Sequence, residues 1–160
     1  HAVGLVRHVS HREEPVVVSD DVKEIDVRRC GYEEIERFID EMCECEAIIS
    51  TSLHGLIVAQ AYGIPAVWAT FGSAAKGIPG VDVKFHDYFA SVGIHEQQPL
   101  DLSEVRDVSP GLVRGRALTI RREPRLDRLV EAAPFEVRFD GRGWCRESSD
   151  PPTLETVAGE

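Results

Sequence analysis

Residues 47–68 read AIISTSLHGLIVAQAYGIPAVW, and this stretch decides the fold. Its first four residues form a short, mainly apolar run, which predicts a buried strand at Ala47–Ser50. A helix is predicted over 53–62 and a second short strand over 66–69. Strand, helix and strand within so few residues indicate neighbouring strands of a parallel sheet.

The predicted helix carries an apolar stripe and a stop signal. Its stripe consists of Leu53, Ile57 and Ala61, spaced four residues apart. Gly63 follows the last turn and Pro65 stands two residues further on, which is typical of a helix C-terminus. The boundaries of this helix are therefore set by the sequence itself.

The first half of the chain alternates in the same way. An acidic amphipathic helix is predicted over 32–45, after three short apolar segments that predict strands, at 3–9, 15–19 and 24–27. We therefore expect an α/β domain over 1–140, a parallel sheet with helices on its faces.

The second half is less regular. Residues 70–83 contain Gly72, Gly77 and Gly80, which predict a flexible loop that can close as a lid. Helices are predicted at 84–92 and 125–133. Residues 141–160 are rich in glycine, serine, proline and charge, so we expect a disordered tail there.

The chain is acidic, and its charge is concentrated. The 160 residues are 42% hydrophobic and carry a formal net charge of −10. Residues 13–46 alone contain 13 acidic and 4 basic side chains, which we interpret as a solvated helix face and its flanks. An acidic chain is a poor general binder of nucleic acid, and no apolar run approaches the roughly 18 residues of a membrane span. We expect neither a nucleic-acid partner nor a membrane span.

The four cysteines, Cys30, Cys43, Cys45 and Cys145, form no Cys-x-x-Cys pair. Their spacing is not that of a zinc site, and no other ligand pattern lies on one predicted face. We therefore predict reduced thiols, a cytoplasmic location and no metal site.

The link between the strand at Ala47–Ser50 and the following helix is the strongest candidate for a binding site. Ligands of parallel sheets bind at the carboxyl ends of strands, and a helix N-terminus offers free N–H groups to an anion. Thr51 and Ser52 add hydroxyls, Gly55 allows a ligand or a neighbouring chain to approach closely, and His54 can bind an anion or move a proton. The same residues are also compatible with an ordinary helix cap and a structural histidine.

The motifs resemble one family. Residues 50–68 resemble the central signature of the polysaccharide pyruvyl transferase family, and KFHDYF at 84–89 resembles a later element of it. VGLVRHV at 3–9 resembles the strand in which these proteins often carry Pro-His-Tyr. The resemblance covers roughly residues 1–135.

This resemblance implies an enzyme that transfers a pyruvyl group from phosphoenolpyruvate to a sugar of a polysaccharide or glycan, forming a ketal, without a further cofactor. It implies a Rossmann-like parallel sheet with helices on both faces, as in the C-terminal half of a glycosyltransferase-B-type fold. The N-terminal half, which contributes an arginine to donor binding, would be a missing partner. The chain begins with His1 and enters an apolar segment at once, so we expect a piece of a longer protein.

The resemblance also implies roles for individual residues. His54 matches the donor-site histidine, expected as general acid or phosphate ligand, and Leu53 lines the pocket beside it. Lys84 matches the donor-site lysine, with Lys76 of the glycine-rich loop as its rival. Ser50, Thr51, Ser52 and Gly55 complete the expected donor site, although some relatives carry an arginine where this chain has Ser52.

Acceptor binding is assigned more weakly. Trp68, at the end of a predicted strand, can stack on a sugar or lie in the core. His8 and His11 lie near the end of the first predicted strand, and His8 is the acceptor-binding candidate of the two.

Two other functions compete with the leading one. A nucleotide-sugar glycosyltransferase half would hold a diphosphate in the same pocket and needs an acidic contact to the ribose. A non-catalytic remnant would bind a glycan or a protein partner without performing transfer.

Overall fold

The computed structural model describes residues 1–72 and 81–118, all of which belong to the compact unit His1–Pro124. The helix predicted at 125–133, the tail predicted at 141–160 and most of the predicted loop at 70–83 lie outside the described residues.

The described residues form five strands and three α-helices. In chain order these are β1 Val3–Arg7, β2 Val22–Asp26, α1 Tyr32–Cys43, β3 Ala47–Ser50, α2 Leu53–Ala61, β4 Ala66–Thr70, α3 Val81–Ser91 and β5 Leu100–Asp101. Short 3₁₀ turns occur at Val9–His11, Leu102–Glu104 and Pro110–Leu112.

The strands form one parallel sheet in the order β2-β1-β3-β4-β5. After β1 the chain steps to one side to form β2, then crosses back to form β3 on the other side of β1. The order therefore reverses between β1 and β3. In open parallel sheets, such a reversal leaves a crevice at the carboxyl ends of the two strands.

The three α-helices pack on one face of this sheet. Phe38 and Met42 of α1 pack on the same side as Val6 and Ile48, and Phe85 of α3 packs on Trp68. The opposite side chains of the strands, such as Leu5, Ile49 and Val67, pack instead against Phe71, Leu102 and Val108. The prediction of a parallel α/β sheet is confirmed. The expected helices on both faces are not seen in the part of the chain that the structure describes, where 3₁₀ turns and loops cover the second face.

Two predicted segments differ from the structure. The segment 15–19 was expected to be a strand but forms only an isolated bridge, between Val18 and Val108. Val16 and Val18 pack against the core from a loop, whereas Val17 is 65% exposed, so composition alone misled the prediction. The edge strand β5 was not predicted, because two residues carry no readable periodicity.

The predicted stripe of α2 is wrong, although the helix itself is confirmed. Ile57 is 43% exposed, whereas Leu56 and Ala59 are buried. Nearly every residue of α2 is apolar, so spacing does not reveal which side faces the sheet. The close approach of Gly55 to β3 decides the rotation of the helix, as shown below.

The acidic helix has the expected polar outer side. Phe38 and Met42 are buried, and the acidic residues at 33, 36 and 40 are exposed. Arg29 bridges to Glu34 and Glu41 on this helix. The surface charge of the segment is therefore partly neutralised by its own arginines.

Helix α3 is tied to α2 by a side-chain hydrogen bond. The Tyr88 hydroxyl donates to Oε1 of Gln60. Burial raises the pKa of Tyr88 to about 12, so this hydroxyl keeps its proton at neutral pH. The bond fixes the helix that carries Lys84 against the helix that carries His54.

Among the described residues, no helix has the length and apolarity needed to cross a bilayer. Cys30, Cys43 and Cys45 are free thiols. Cys145 lies outside the described residues.

Candidate functional site

The segments that follow β1 and β3 meet at the reversal point of the sheet. The N–H of Thr51 donates to the carbonyl of Val6 across 3.0 Å, and the N–H of His8 donates to Oγ1 of Thr51 across 2.9 Å. These two bonds join the carboxyl ends of strands that are distant in sequence. The predicted site residues at 50–55 therefore lie beside His8.

Ser50 is part of the framework. Its side chain is fully buried, and its Oγ lies 2.7 Å from the Ser52 carbonyl and 3.2 Å from the Val6 carbonyl. The same oxygen accepts a hydrogen bond from the N–H of Ser52. Because donor and acceptor capacity are both used within the protein, Ser50 shapes the loop and has no hydroxyl to offer a ligand.

Gly55 allows the helix to approach the sheet. A Cβ at this position would lie 2.4 Å from Oγ of Ser50 and 2.9 Å from Cγ1 of Val6. Those distances are shorter than real Cβ contacts. Strand β3, with β1 behind it, is therefore the close neighbour of Gly55. Of the two roles expected for this glycine, the structure shows the close approach of a neighbouring chain segment.

Ser52 differs from its neighbours. It is 1% exposed, and its hydroxyl has no hydrogen-bond partner among the described residues. Ser52 also lines a cavity of about 380 Å³. Buried hydroxyls in folded proteins almost always have a partner. Ser52 therefore places a hydroxyl without a described partner at the wall of this cavity.

The cavity has an apolar wall and a basic side. Val9, Val27, Ile35, Phe38, Ile39 and Val58 supply the wall. His8, Arg28, Arg29, Ser52 and His54 supply the polar groups. Of the described residues that line it, none is acidic. This lining offers N–H donors to an anion, although Arg28 is paired with Asp26 and Arg29 with Glu34 and Glu41.

Sequence reasoning missed the two arginines. Arg28 and Arg29 follow β2 directly, so they stand at the same edge of the sheet as the site. Arg28 pairs with Asp26, which Arg12 also contacts at 3.5 Å. The position of Arg28-Arg29 just after a predicted strand was the available signal.

His54 lies in the first turn of α2 and is exposed to solvent at the cavity. The preceding Leu53 is half-buried and packs with Leu56 and Trp68, so it supports the turn from beneath. The structure thus separates the two: His54 lines the cavity, and Leu53 does not.

His8 and Lys84 enter the site from two other elements. The pKa of His8 is lowered by burial and then by the charges of Lys84 and His54. Lys84 of α3 also acts on His11, and its Nζ lies 5.5 Å from the centre of the Phe85 ring. The structure therefore brings Lys84 within electrostatic range of both histidines. The rival Lys76 lies outside the described residues.

His11 is the most deeply buried histidine of the described residues. It is 3% exposed, and neither ring nitrogen has a hydrogen-bond partner there. Its ring packs edge-on to Phe71 at 5.5 Å and to His8 at 5.8 Å. Burial lowers its pKa, with His8 and Lys84 adding to the effect against Glu14. His11 is therefore a neutral neighbour of the site at pH 7.

Trp68 belongs to the core. It is 3% exposed and stacks on Phe85 at 4.9 Å, with Phe89 tilted against it at 5.6 Å. Both neighbours come from α3, so the KFHDYF motif positions the helix through its aromatic residues. A buried ring presents no face to a sugar, and the expected stacking role of Trp68 is not supported.

The assembled groups can bind an oxyanion and supply a proton. His54 and His8 provide N–H donors at the cavity that Ser52 lines, and Lys84 adds a positive charge within electrostatic range of His8. Within the described residues, no group of three or more His, Cys, Asp or Glu side chains is arranged to hold a metal ion.

Comparisons with known proteins agree with the motif analysis. The family model described as Polysaccharide pyruvyl transferase matches residues 4–70, from β1 through β4. The resemblance is thereby confirmed over the half of the site that contains His8 and residues 50–55. The match ends before Lys84.

A curated relative, an uncharacterized protein of Acanthamoeba polyphaga mimivirus, is 41% identical over 58 residues. That alignment covers 36% of this chain and 20% of the viral protein, so the chain matches about a fifth of its relative's length. No solved structure matches the chain.

Proposed function

We propose that this chain supplies the donor-binding part of a polysaccharide pyruvyl transferase, with phosphoenolpyruvate as donor and a sugar hydroxyl as acceptor. The family match over residues 4–70 supports a pyruvyl transferase. One cavity carries the donor assignment. It is lined by His8, Ser52 and His54, lies where the strand order reverses, and has no acidic residue among the described residues that line it.

Phosphoenolpyruvate needs a site of this composition. It carries a phosphate and a carboxylate, and both require cations or N–H donors once water is excluded. In our proposal His54, the Ser52 hydroxyl and the first turn of α2 bind the phosphate. Lys84 neutralises the carboxylate of the donor.

The reaction has a definite proton balance. The methylene carbon of the donor accepts one proton and becomes a methyl group, which leaves positive charge on the carbon that bears the phosphate. A sugar hydroxyl attacks that carbon and loses its proton, and phosphate departs with the C–O electron pair. A second hydroxyl of the same sugar then attacks, loses its proton and closes the ketal. Of the two protons that the hydroxyls release, one balances the proton taken up by the methylene carbon and the other leaves with the phosphate.

His54 is the proposed general acid for the first step. It is exposed at the cavity, so it can contact the donor and exchange its proton with water. General acids of this kind contribute about 10²–10⁴-fold to a rate. Ser50 and Gly55 contribute by shaping the turn that carries His54.

The proposal includes a partner domain and a cellular compartment. By resemblance, a preceding half would close the cleft and contribute an arginine to the donor. The free thiols at Cys30, Cys43 and Cys45 favour a reducing compartment, and we place the reaction in the cytoplasm.

Calorimetry with phosphoenolpyruvate tests the donor assignment. The titration is run on this chain and on a form joined to the preceding half. Binding to the joined form is expected, with His54→Ala weakening it and His95→Ala, an exposed histidine in the loop after α3, leaving it unchanged. Absence of binding to the joined form would overturn the proposal.

Transfer is measured as phosphate release and pyruvylated acceptor. With the joined form, His54→Ala is expected to lower the rate by about 10²–10⁴-fold, the usual contribution of a general acid. An unchanged rate would remove His54 from this role.

The same titrations separate the competing functions. A glycosyltransferase half would bind a nucleoside diphosphate in place of phosphoenolpyruvate. Three acidic residues that contact the arginines of the cavity are engaged in ion pairs, Asp26 with Arg12 and Arg28, and Glu34 and Glu41 with Arg29, which gives no support to a ribose contact. A non-catalytic remnant would bind a glycan with no response to either donor.

A further inference from the structure

We propose that His8 is a phosphoryl-binding residue that donates a hydrogen bond from Nε2 and acts at no stage as a base. This moves His8 from the expected binding site of the acceptor sugar to that of the phosphate-bearing donor substrate. The inference deepens the proposed function. It rests on that function only for the identity of the phosphate-bearing ligand, phosphoenolpyruvate.

The first argument concerns the position of the ring proton. Nδ1 of His8 accepts a hydrogen bond from the N–H of Ser10 across 3.2 Å, where His8 caps the 3₁₀ turn Val9–His11. An imidazole nitrogen that accepts from an N–H carries no proton. The proton of the neutral ring is therefore on Nε2, which makes this nitrogen a donor and leaves the ring without a free lone pair.

The second argument concerns how firmly the ring is held. The main-chain N–H of His8 is bonded to Thr51 Oγ1, and the ring packs edge-on to His11. His8 is thus fixed from the sheet on one side and from its own turn on the other. A donor held in this way loses little conformational freedom when a ligand arrives.

The third argument concerns the ligand. His8 lines the same cavity as Ser52 and His54, and the Ser52 hydroxyl there is buried and unpartnered. The charged and titratable groups that act on His8 come from α3 and α2, namely Lys84 and His54, while Arg28 and Arg29 line the cavity after β2. Arg28 is paired with Asp26, and Arg29 with Glu34 and Glu41. His8 also borders a second cavity, which Glu24 and Asp26 line. An anion in the cavity with Ser52 would therefore be held by hydrogen-bond donors and by the charge of Lys84.

Charge state completes the argument. Burial, Lys84 and His54 lower the pKa of His8, which keeps the ring neutral at pH 7. A phosphoryl dianion at Nε2 has the opposite effect on the ring, because a negative charge favours the protonated form. Ligand binding should therefore raise the pKa of His8.

Histidine NMR of the whole chain tests these points. The nitrogen shifts of His8 are expected to show the Nε2–H form in the free protein. Inorganic phosphate and phosphoenolpyruvate are each expected to raise the pKa of His8, and pyruvate, which has the carboxylate alone, is not. A proton on Nδ1, no response to phosphate, or a larger response to pyruvate would overturn the inference.

Two substitutions give a second readout. Asparagine at position 8 keeps a cap for the N–H of Ser10 but has no donor at the Nε2 position, whereas glutamine reaches that position with its amide nitrogen. His8→Asn is expected to weaken phosphate binding about tenfold, the lower end for one lost hydrogen bond to a charged group, and His8→Gln to restore most of it. His95→Asn is the control and should bind normally. Equal affinities for the Asn and Gln variants would contradict the inference.

Failure here is distinguishable from failure of the proposed function. A response of His8 to inorganic phosphate without any binding of phosphoenolpyruvate would leave this inference standing and overturn the proposed donor. Normal pyruvyl transfer by the His8→Asn form of the joined enzyme would overturn the inference alone.

Discussion

The main-chain N–H of His8 donates to Oγ1 of Thr51 across 2.9 Å, although the residues lie 43 positions apart. This bond joins the ends of β1 and β3 at the point where the strand order reverses. The side chain of Thr51 thus connects the ends of the two strands and also holds the main chain of His8 beside the cavity.

Replacing Thr51 with valine should therefore destabilise the protein. Valine has the same shape but no acceptor, which leaves the N–H of His8 unpaired; such a loss costs about 1–3 kcal/mol. Urea unfolding at pH 7 measures the change. Thr51→Ser keeps the hydroxyl and should lose less than Thr51→Val. A valine variant as stable as the original would show that water replaces the bond.

Gly55→Ala should be more damaging than its size implies. The added methyl group would meet Ser50 Oγ at 2.4 Å and Val6 Cγ1 at 2.9 Å, so α2 must move away from the sheet. Overpacking of this kind costs about 1–3 kcal/mol, and His54 would move with the helix. Gly111→Ala is the matched control, because its nearest contact is 3.8 Å away. Equal stability of the two variants would contradict the packing argument.

Trp68 should behave as a core residue. Trp68→Ala is expected to lower the free energy of unfolding by about 3–5 kcal/mol, as for other large buried aromatic residues. Tyr62→Ala, at a residue 53% exposed, should change it by no more than about 0.5 kcal/mol. If a conservative Trp68→Phe variant of the joined enzyme kept its stability but lost acceptor affinity, the sugar-stacking role would return.

Stability should decrease on acidification. Burial is the largest cause that lowers the pKa of both His8 and His11 below the ordinary 6.5. Below pH 6.5 the unfolded chain thus binds more protons than the folded one, and the free energy of unfolding rises with pH through this window and levels off above it. His11→Phe should make the slope shallower in urea unfolding at a series of pH values. His95→Asn should keep it, and an unchanged slope in His11→Phe would refute the assignment.

Lys84 should control both histidines of the site. Its charge lowers the pKa of His8 and of His11, so Lys84→Met should raise both in an NMR titration. Arg106→Met, at an exposed residue that is not among the groups acting on either histidine, is the control. If Lys76→Met raised these pKa values and Lys84→Met did not, the rival lysine would be the donor-site cation.

Strand and helix identity was predictable where local pattern is strong. Ala47–Ser50 is a strand with the predicted bounds, and the helix after it begins at Leu53 as expected. Apolar runs bounded by glycine and proline specify such elements without help from the rest of the chain. The carboxyl end of this strand is therefore readable as a site from sequence.

Local pattern did not identify which polar side chain is available. Ser50 and Ser52 are alike in sequence, yet one hydroxyl is bonded on all sides and the other has no described partner. Which is which depends on the distance between β3 and the carbonyl of Val6, and no spacing along the chain encodes that distance. The side of α2 that faces the sheet was missed for the same reason.

The sequence by itself determined the α/β order of elements, the strand-to-helix turn that carries His54, and the family resemblance. Only the tertiary structure decided that His8 lies beside this turn within electrostatic range of Lys84, that Trp68 is buried and that Ser52 lines a cavity. The physical reason is the distance along the chain over which each effect acts. Propensity and periodicity act over a few residues, whereas a binding cavity forms where strands distant in the chain end side by side.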